Sequence, residues 1–402
     1  MIPIHPLAAA PPPGSSGLKA PPPLALYVHW PWCVKKCPYC DFNSHELKED
    51  QEALYLQALI ADLESALPAI WNRPISSLFI GGGTPSLMSG ATADALLTAI
   101  RMRLPLQPDA EITLEANPGT VEAGKFAAFR EAGVNRLSLG IQSFHDTQLR
   151  ALGRIHDSTE ARRAIDIAQQ HFERINLDLM YALPDQTLTE AQQDIDTAIA
   201  CGTEHVSAYH LTLEPNTPFH HAPPPLPDDD LAADMQEMIE GRLAATGFEH
   251  YETSAFARPG AQCRHNLNYW TFGDYLGIGA GAHSKLSDHT ELWRETRPHH
   301  PRAYLDAATR GEFIATRRVI LQADLPGEFM MNALRLTGGV PVALFSERTG
   351  LPRSFIEKST LAARREGLLE AQCGSPLETG GGHLRPTPQG QRFLNRLIGM
   401  YL

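Results

Sequence analysis

Cys33, Cys37 and Cys40 are the most densely grouped reactive side chains in the sequence, in the run Cys33-Val34-Lys35-Lys36-Cys37-Pro38-Tyr39-Cys40-Asp41-Phe42. Thiolates are soft ligands, and three of them on one short loop at C-x3-C-x2-C spacing form a metal-ligand arrangement. A mononuclear iron or zinc site asks for a fourth protein ligand, for which His45 is the nearby candidate. A 4Fe–4S cluster held by three cysteines instead leaves one iron open to an outside ligand. Two blander readings compete. Cys37-Pro38-Tyr39-Cys40 alone is a C-x-x-C redox motif, but that ignores Cys33 and places a small redox domain in a chain several times too long. A structural disulfide leaves one cysteine of the three unpaired.

Other candidates recur downstream. Gly81-Gly82-Gly83-Thr84-Pro85 lacks the Gly-Lys-Ser/Thr of a phosphate loop, and its glycines let a ligand approach the backbone closely. Glu115, Gln142, Arg154 and Asp178 could each be an ordinary solvated or salt-bridged residue. Together they supply a bidentate partner for a carboxylate and acceptors for hydroxyl groups. Cys263-Arg264-His265-Asn266-Leu267-Asn268-Tyr269-Trp270 gathers a thiol, an imidazole and aromatic faces, and Gly277-Ile278-Gly279-Ala280-Gly281-Ala282-His283 follows it.

These residues need elements to position them, and a strand–helix alternation provides them. The patterns predict strands over Leu24–Trp30, Ser76–Ile80, Ala110–Ala116, Arg136–Ile141, Ile175–Tyr181 and His205–Leu213. They predict helices over Asp50–Leu67, Thr92–Arg103, Val121–Ala132, Ser158–His171 (capped by Ser158 or Asp157), Thr189–Ala200 and Leu231–Thr246. Six such repeats imply parallel strands with helical crossovers, an α/β chain folded as an incomplete (β/α)6 TIM-like barrel. The Cys loop, the triple glycine, Glu115, Gln142, Asp178 and Tyr209 then all fall toward the C-terminal ends of successive strands, where barrel active sites lie.

The expected organisation is a Pro-rich disordered leader over 1–23, the barrel over 24–247, a Gly/aromatic/His linker segment over 248–300 and a mainly helical domain over 301–402. In the last, helices over Glu328–Arg335, Val342–Thr349 and Ser354–Glu366, a hairpin and a closing helix over Pro388–Ile398 make a winged-helix-like order, which serves protein contacts as well as DNA. The chain has 402 residues, 43% of them hydrophobic, and a net charge of −12, which opposes nonspecific nucleic-acid binding. Six cysteines in this length do not make a disulfide scaffold, and an open-iron cluster needs a reducing compartment, so a cytoplasmic location is expected. No run of about 18 apolar residues reads as a transmembrane span, and the N-terminus lacks the basic start of a signal peptide.

The sequence resembles the radical S-adenosylmethionine (AdoMet, SAM) enzymes, and among them the HemN-like coproporphyrinogen dehydrogenase group. The likeness rests on Leu26-Tyr27-Val28-His29-Trp30-Pro31, the Cys loop, Gly81–Pro85, Glu115-Ala116-Asn117-Pro118, Ser138–Phe144, Gly153-Arg154 and Asp178–Pro184. It implies that Cys33, Cys37 and Cys40 hold a 4Fe–4S cluster whose open iron takes AdoMet. It implies AdoMet contacts at Tyr27, Gly83, Thr84, Pro85, Glu115, Gln142, Arg154 and Asp178. Within the group the chain looks most like the haem-chaperone branch. Phe42 stands where the dehydrogenases carry a further cysteine, the barrel starts without their folded N-terminal segment, and His265-Asn266-Leu267-Asn268-Tyr269-Trp270 matches the chaperones' H-N-x-x-Y-W motif. His265, or the neighbouring Cys263, is then the expected haem ligand.

The chaperone reading implies haem and haem-acceptor proteins as partners and leaves peripheral membrane association and homodimerisation open. The competing reading is an oxygen-independent dehydrogenase, in which a 5′-deoxyadenosyl radical abstracts a propionate hydrogen and coproporphyrinogen III becomes protoporphyrinogen IX. One departure stands out: Ala182-Leu183-Pro184-Asp185-Gln186 replaces the family's Gly-Leu-Pro-Gly-Gln, which puts the geometry of that turn in question.

Overall fold

The computed structural model describes residues 16–47, 51–120, 123–371 and 382–402. Residues 1–15 of the expected leader, Asp50 and Val121 at two expected helix starts, Cys373 and most of the turn after Glu370 lie outside the described residues.

Six parallel strands run in chain order: β1 (Leu24–Trp30), β2 (Ile75–Gly82), β3 (Leu106–Ala116), β4 (Arg136–Gln142), β5 (Arg174–Tyr181) and β6 (His205–His210). The helices that follow them are α1 (Glu52–Ala66), α2 (Gly90–Arg103), α3 (Ala123–Ala132), α4 (Ser158–His171), α5 (Leu188–Ala200) and α6 (Asp229–Ala245). The sequence explains their limits. Asp157 caps α4 and Thr187 caps α5, each in a reciprocal box with a glutamate three residues on; such a cap contributes about 1 kcal/mol. On α4, Ala161, Ala164, Ile165 and Ala168 fall on one buried stripe. β1 is buried along nearly its whole length, as a central parallel strand covered on both faces must be.

The segment expected to be a linker is instead part of the sheet. After α6 come β7 (Glu249–Glu252) and β8 (Ala255–Ala257), a helix α7 (Arg264–Trp270), then β9 (Asp274–Ile278), β10 (His283–Ser287), β11 (Leu292–Thr296) and β12 (Thr316–Val319). Strand β9 pairs parallel with β1, so β1 has neighbours on both sides and β6 does not return to it. Among the described residues the sheet has twelve strands, and it stays open. The physical reason is shared burial: Leu276, Ile278, Leu286 and Trp293 belong to the same core as Leu26 and Leu78. Charges are buried with them. Asp62 of α1 accepts from Arg297 Nε at 2.8 Å, from the Tyr304 hydroxyl at 2.9 Å and from the Gly279 N–H at 3.1 Å. Removing one partner from such a set leaves an uncompensated buried charge, at roughly 3–5 kcal/mol.

Glu52–Ile70, which is α1 and the turn after it, spans 19 residues with a stretch of mean hydropathy 1.3, long and apolar enough by length and composition alone to cross a membrane. Its setting accounts for the composition, since Tyr55, Leu59 and Leu63 are core residues and Asp62 is ion-paired.

The C-terminal region is mainly helical, with α8 (Pro301–Ala308), α9 (Leu325–Ala333), α10 (Val342–Thr349) and α11 (Ser354–Arg365). The hairpin arms meet through Glu370 N–H to Arg385 O at 2.9 Å and Thr387 N–H to Leu368 O at 3.0 Å. The expected closing helix divides into α12 (Pro388–Arg392) and α13 (Leu394–Gly399), because Phe393 leaves helical geometry at ψ 38°. Phe329, Met330, Phe345, Ile356 and Leu397 form a second core that also takes in Phe272 and Leu292 from the sheet side.

Candidate functional site

Beyond β1 the chain leaves the sheet through Pro31, and Trp32–Cys33 pairs with His45–Glu46 to close the base of the Cys loop. The glycine loop after β2 interleaves with it. The Gly83 N–H donates to Trp30 O and the Thr84 N–H to Trp32 O, both at 2.7 Å. A Cβ on Gly83 would stand 2.6 Å from Trp32 O, so glycine is required there for backbone-on-backbone packing. Gly82 has φ +113°, and a Cβ on it would strike the His29 ring.

Each loop sulfur has a polar neighbour. Thr84 Oγ1 donates to Cys33 Sγ at 3.4 Å, Arg154 Nη1 points at Cys37 Sγ from 3.6 Å, and Ser44 Oγ lies 3.8 Å from Cys40 Sγ. All three cysteines are half-buried free thiols. Burial pushes the Cys33 and Cys40 thiols up, while hydrogen bonds from Thr84 and Ser44 to Cys33, and from the Phe42 backbone and Ser44 to Cys40, pull them back. Among the described residues no three His, Cys, Asp or Glu side chains are gathered tightly enough for a single metal ion. A four-iron cluster spreads its ligands over a larger body, so three soft donors on one half-open loop, beside a guanidinium, fit it by their chemistry.

The other expected residues divide into two groups around this loop. Arg154 donates from Nη2 to Gly140 O at 2.8 Å, and a Cβ on Gly140 would meet both Gln142 Nε2 and Arg154 Nη2, so the two side chains share the space above that strand end. Arg154 Nε is buried without a hydrogen-bond partner among the described residues. On the opposite side stand Tyr27, Gly82 and Glu115. Glu115 accepts the Gly82 N–H at 3.1 Å; burial first, then the Asp178 charge, push its carboxyl up to about 8. Asp178 has its two oxygens taken by Ser138 Oγ at 2.7 Å and Asn176 Nδ2 at 2.8 Å.

Tyr27 and His29 share a face of β1, being two residues apart. His29 Nε2 must donate to Asn43 O at 2.8 Å, since a carbonyl only accepts, so Nδ1 accepts the Tyr27 hydroxyl at 3.0 Å. Burial lowers His29 to about 4, which keeps it neutral. His29 and Asn43 were missed as candidates; the strand alternation from Tyr27 was the available signal for His29.

A cavity of about 580 Å³ opens beside this group, within the usual range for a small-molecule site. Its walls include Tyr27, Gly82 and Glu115, then Phe42, Tyr269, Trp270, Phe272 and Tyr275, and its histidines are His29, His283 and His299. His265 is not among them. Its Nδ1 is bonded to Ser77 Oγ at 3.1 Å and its Nε2 to the Tyr269 hydroxyl at 3.0 Å, and it is 1% exposed. Burial, with Arg136 nearby, lowers it to about 3. Cys263 is equally buried, donating to Glu111 Oε1 at 3.5 Å, and burial pushes its thiol up to about 12. The expected haem ligands therefore stand one layer behind the cavity wall with their donors and acceptors engaged, because α7 packs its polar residues onto β2 and β3.

The altered turn after β5 keeps the backbone that glycine would favour. Ala182 has φ +56° and Asp185 has φ +54°, both in the left-handed region. Ala182 and Asp185 thus carry a steric cost of roughly 1–2 kcal/mol each. Gln142, at the end of β4, is also left-handed at φ +68°.

Comparison with known proteins places these features in a family. The Radical SAM superfamily model matches residues 27–198, and the HemN C-terminal domain model matches residues 320–393. The chain is 47% identical over 384 residues to "Heme chaperone HemW" of Escherichia coli (strain K12), covering 95% of this chain and 98% of that one. It is 46% identical over 388 residues to the protein of the same name from Haemophilus influenzae, again covering 95% and 98%. Among solved structures, coproporphyrinogen III oxidase (HemN) from Escherichia coli superposes with a TM-score of 0.79 over 96% of this chain and 92% of its own, at 21% identity, a likeness of fold.

Proposed function

The chain belongs to the HemW family within the radical SAM superfamily, and from that premise we propose that it binds haem and transfers it to haem-acceptor proteins. The observation that carries this reading is the aromatic cavity beside the Cys loop. Phe42, Tyr269, Trp270 and Tyr275 offer ring faces and edges to a planar macrocycle.

Membership of the radical SAM superfamily implies a 4Fe–4S cluster and AdoMet. We assign the cluster to Cys33, Cys37 and Cys40, and AdoMet to the ring of residues around them. When bound, the pair supplies one-electron reductive chemistry at the open iron. The protein's own part is positional. Arg154 offers its unused Nε–H to a carboxylate while its other nitrogens stay on Gly140 and Cys37. Glu115 and Gln142 offer acceptors for hydroxyl groups, and Gly83, Thr84 and Pro85 hold the glycine loop against the cluster loop. Three thiols that must stay reduced support a cytoplasmic site of action.

The test is a paired assay. Anaerobically prepared protein titrated with haemin gives a Soret band near one haem per chain. The same protein, given coproporphyrinogen III, AdoMet and reductant, yields no protoporphyrinogen IX. Robust decarboxylation, or no haemin binding, overturns the chaperone reading.

A further inference from the structure

We propose that the haem iron is ligated from the cavity mouth by His283, and not from the barrel interior by His265; this rests on the haem-binding reading above. Haem iron needs an imidazole nitrogen with a free lone pair facing the space the macrocycle occupies. His265 has neither, since Ser77 and Tyr269 engage both nitrogens and the Tyr269 ring stands between it and the cavity. His283 has both. It lines the cavity, it is exposed, and its ring has no hydrogen-bond partner among the described residues.

Its backbone is also held. His283 opens β10 and pairs with Thr296 of β11. On the other side Gly277 of β9 comes so close that a Cβ there would stand 2.2 Å from His283 O. The glycine-rich run that precedes His283 thus seats a histidine on a rigid strand at the rim. A ligand on a strand is placed more exactly than one on a loop. Partial desolvation, with the Arg294 and His299 charges nearby, holds the His283 imidazole below its ordinary value, in the neutral form that binds metal. His299 lines the same cavity from the loop after β11, but its ring lies against His45 at 6.4 Å, edge to face.

The experiment is haemin titration of the full chain followed by absorbance, with circular dichroism as the check on folding. Wild type, His283→Ala, His299→Ala and His265→Gln are compared. The expected result is a shifted Soret band and binding weakened about tenfold or more in His283→Ala, with the wild-type band position recovered on adding imidazole. His299→Ala and His265→Gln keep the wild-type band. A wild-type band and affinity in His283→Ala, or a shifted band in His299→Ala or His265→Gln instead, overturns the assignment while leaving the haem reading intact. A wild type in which the haemin Soret band neither shifts nor saturates on titration overturns both.

Discussion

The loop 33–40 and the segment 263–270 both gather ligating side chains beside aromatic rings, and the fold treats them oppositely. In the loop, three sulfurs stand half-open at the C-terminal ends of the strands, each with only weak polar neighbours. In the segment, Cys263 and His265 are each 1% exposed, and Glu111, Ser77 and Tyr269 take up their donors and acceptors. Ligand type does not separate the two. Position along the strands does, because the C-terminal rim faces a cavity while the level of Ser77 and Glu111 is filled by α7. A motif rich in ligands is a site only where the fold leaves those ligands a lone pair and a space.

That contrast can be broken most directly with iron. Replacing Cys33, Cys37 and Cys40 together by alanine should remove the whole complement of about four irons per reconstituted chain, the content of one cluster. Cys263→Ala should leave it unchanged. Iron analysis and the visible absorption of the reconstituted proteins decide; iron lost with Cys263 would mean that the buried segment is a ligand site after all.

The two regions should also respond to pH with opposite signs. Glu115, at the site, is raised to about 8 from an ordinary value near 4.5. Its ionisation therefore costs stability progressively as pH climbs from about 4.5 to about 8. His265, in the interior, is lowered to about 3, so its neutral state favours folding at neutral pH and that stability is lost as pH falls below about 6.5. At pH 5 the loss for one such histidine is at most roughly 2 kcal/mol. Denaturant unfolding at pH 5 and pH 8 should show Glu115→Gln gaining relative stability at the higher pH, and His265→Gln losing part of the wild type's acid sensitivity. Parallel pH profiles for wild type and both variants would contradict the two environments described.

A smaller effect concerns the turn beside the site. Since Ala182 and Asp185 both occupy left-handed backbone, Ala182→Gly and Asp185→Gly should each stabilise the protein by about 1 kcal/mol or less, the relief of Cβ crowding less the entropy glycine adds to the unfolded chain. Replacing Gly82, at φ +113° against His29, should destabilise instead. Midpoints of urea unfolding measure both; a destabilising Ala182→Gly would show that this turn is not under strain.

Much of the barrel could be read locally. The period-2 and period-3.6 patterns recur every thirty to forty residues, and Asp157, one of the two caps offered for the helix after β4, is the one used. Each strand ends within a few residues of its expected place, and Cys33, Gly83, Glu115 and Gln142 fall at strand ends because position along a strand is a local property. The tertiary structure alone decided what depends on distant neighbours. Strands β9–β11 are short and interrupted by glycine and histidine, so they read as a linker until β9 pairs with β1, about 250 residues earlier in the chain. The need for glycine at position 83 comes from the backbone of Trp32. The choice between His265 and His283 was equally out of local reach. His265 is closed off by Ser77, 188 residues away, while His283 is left open by a cavity assembled from the Cys loop, β1, α7 and the added strands. Local pattern carries backbone periodicity, and exposure of a given nitrogen is set by packing between segments that the pattern does not connect.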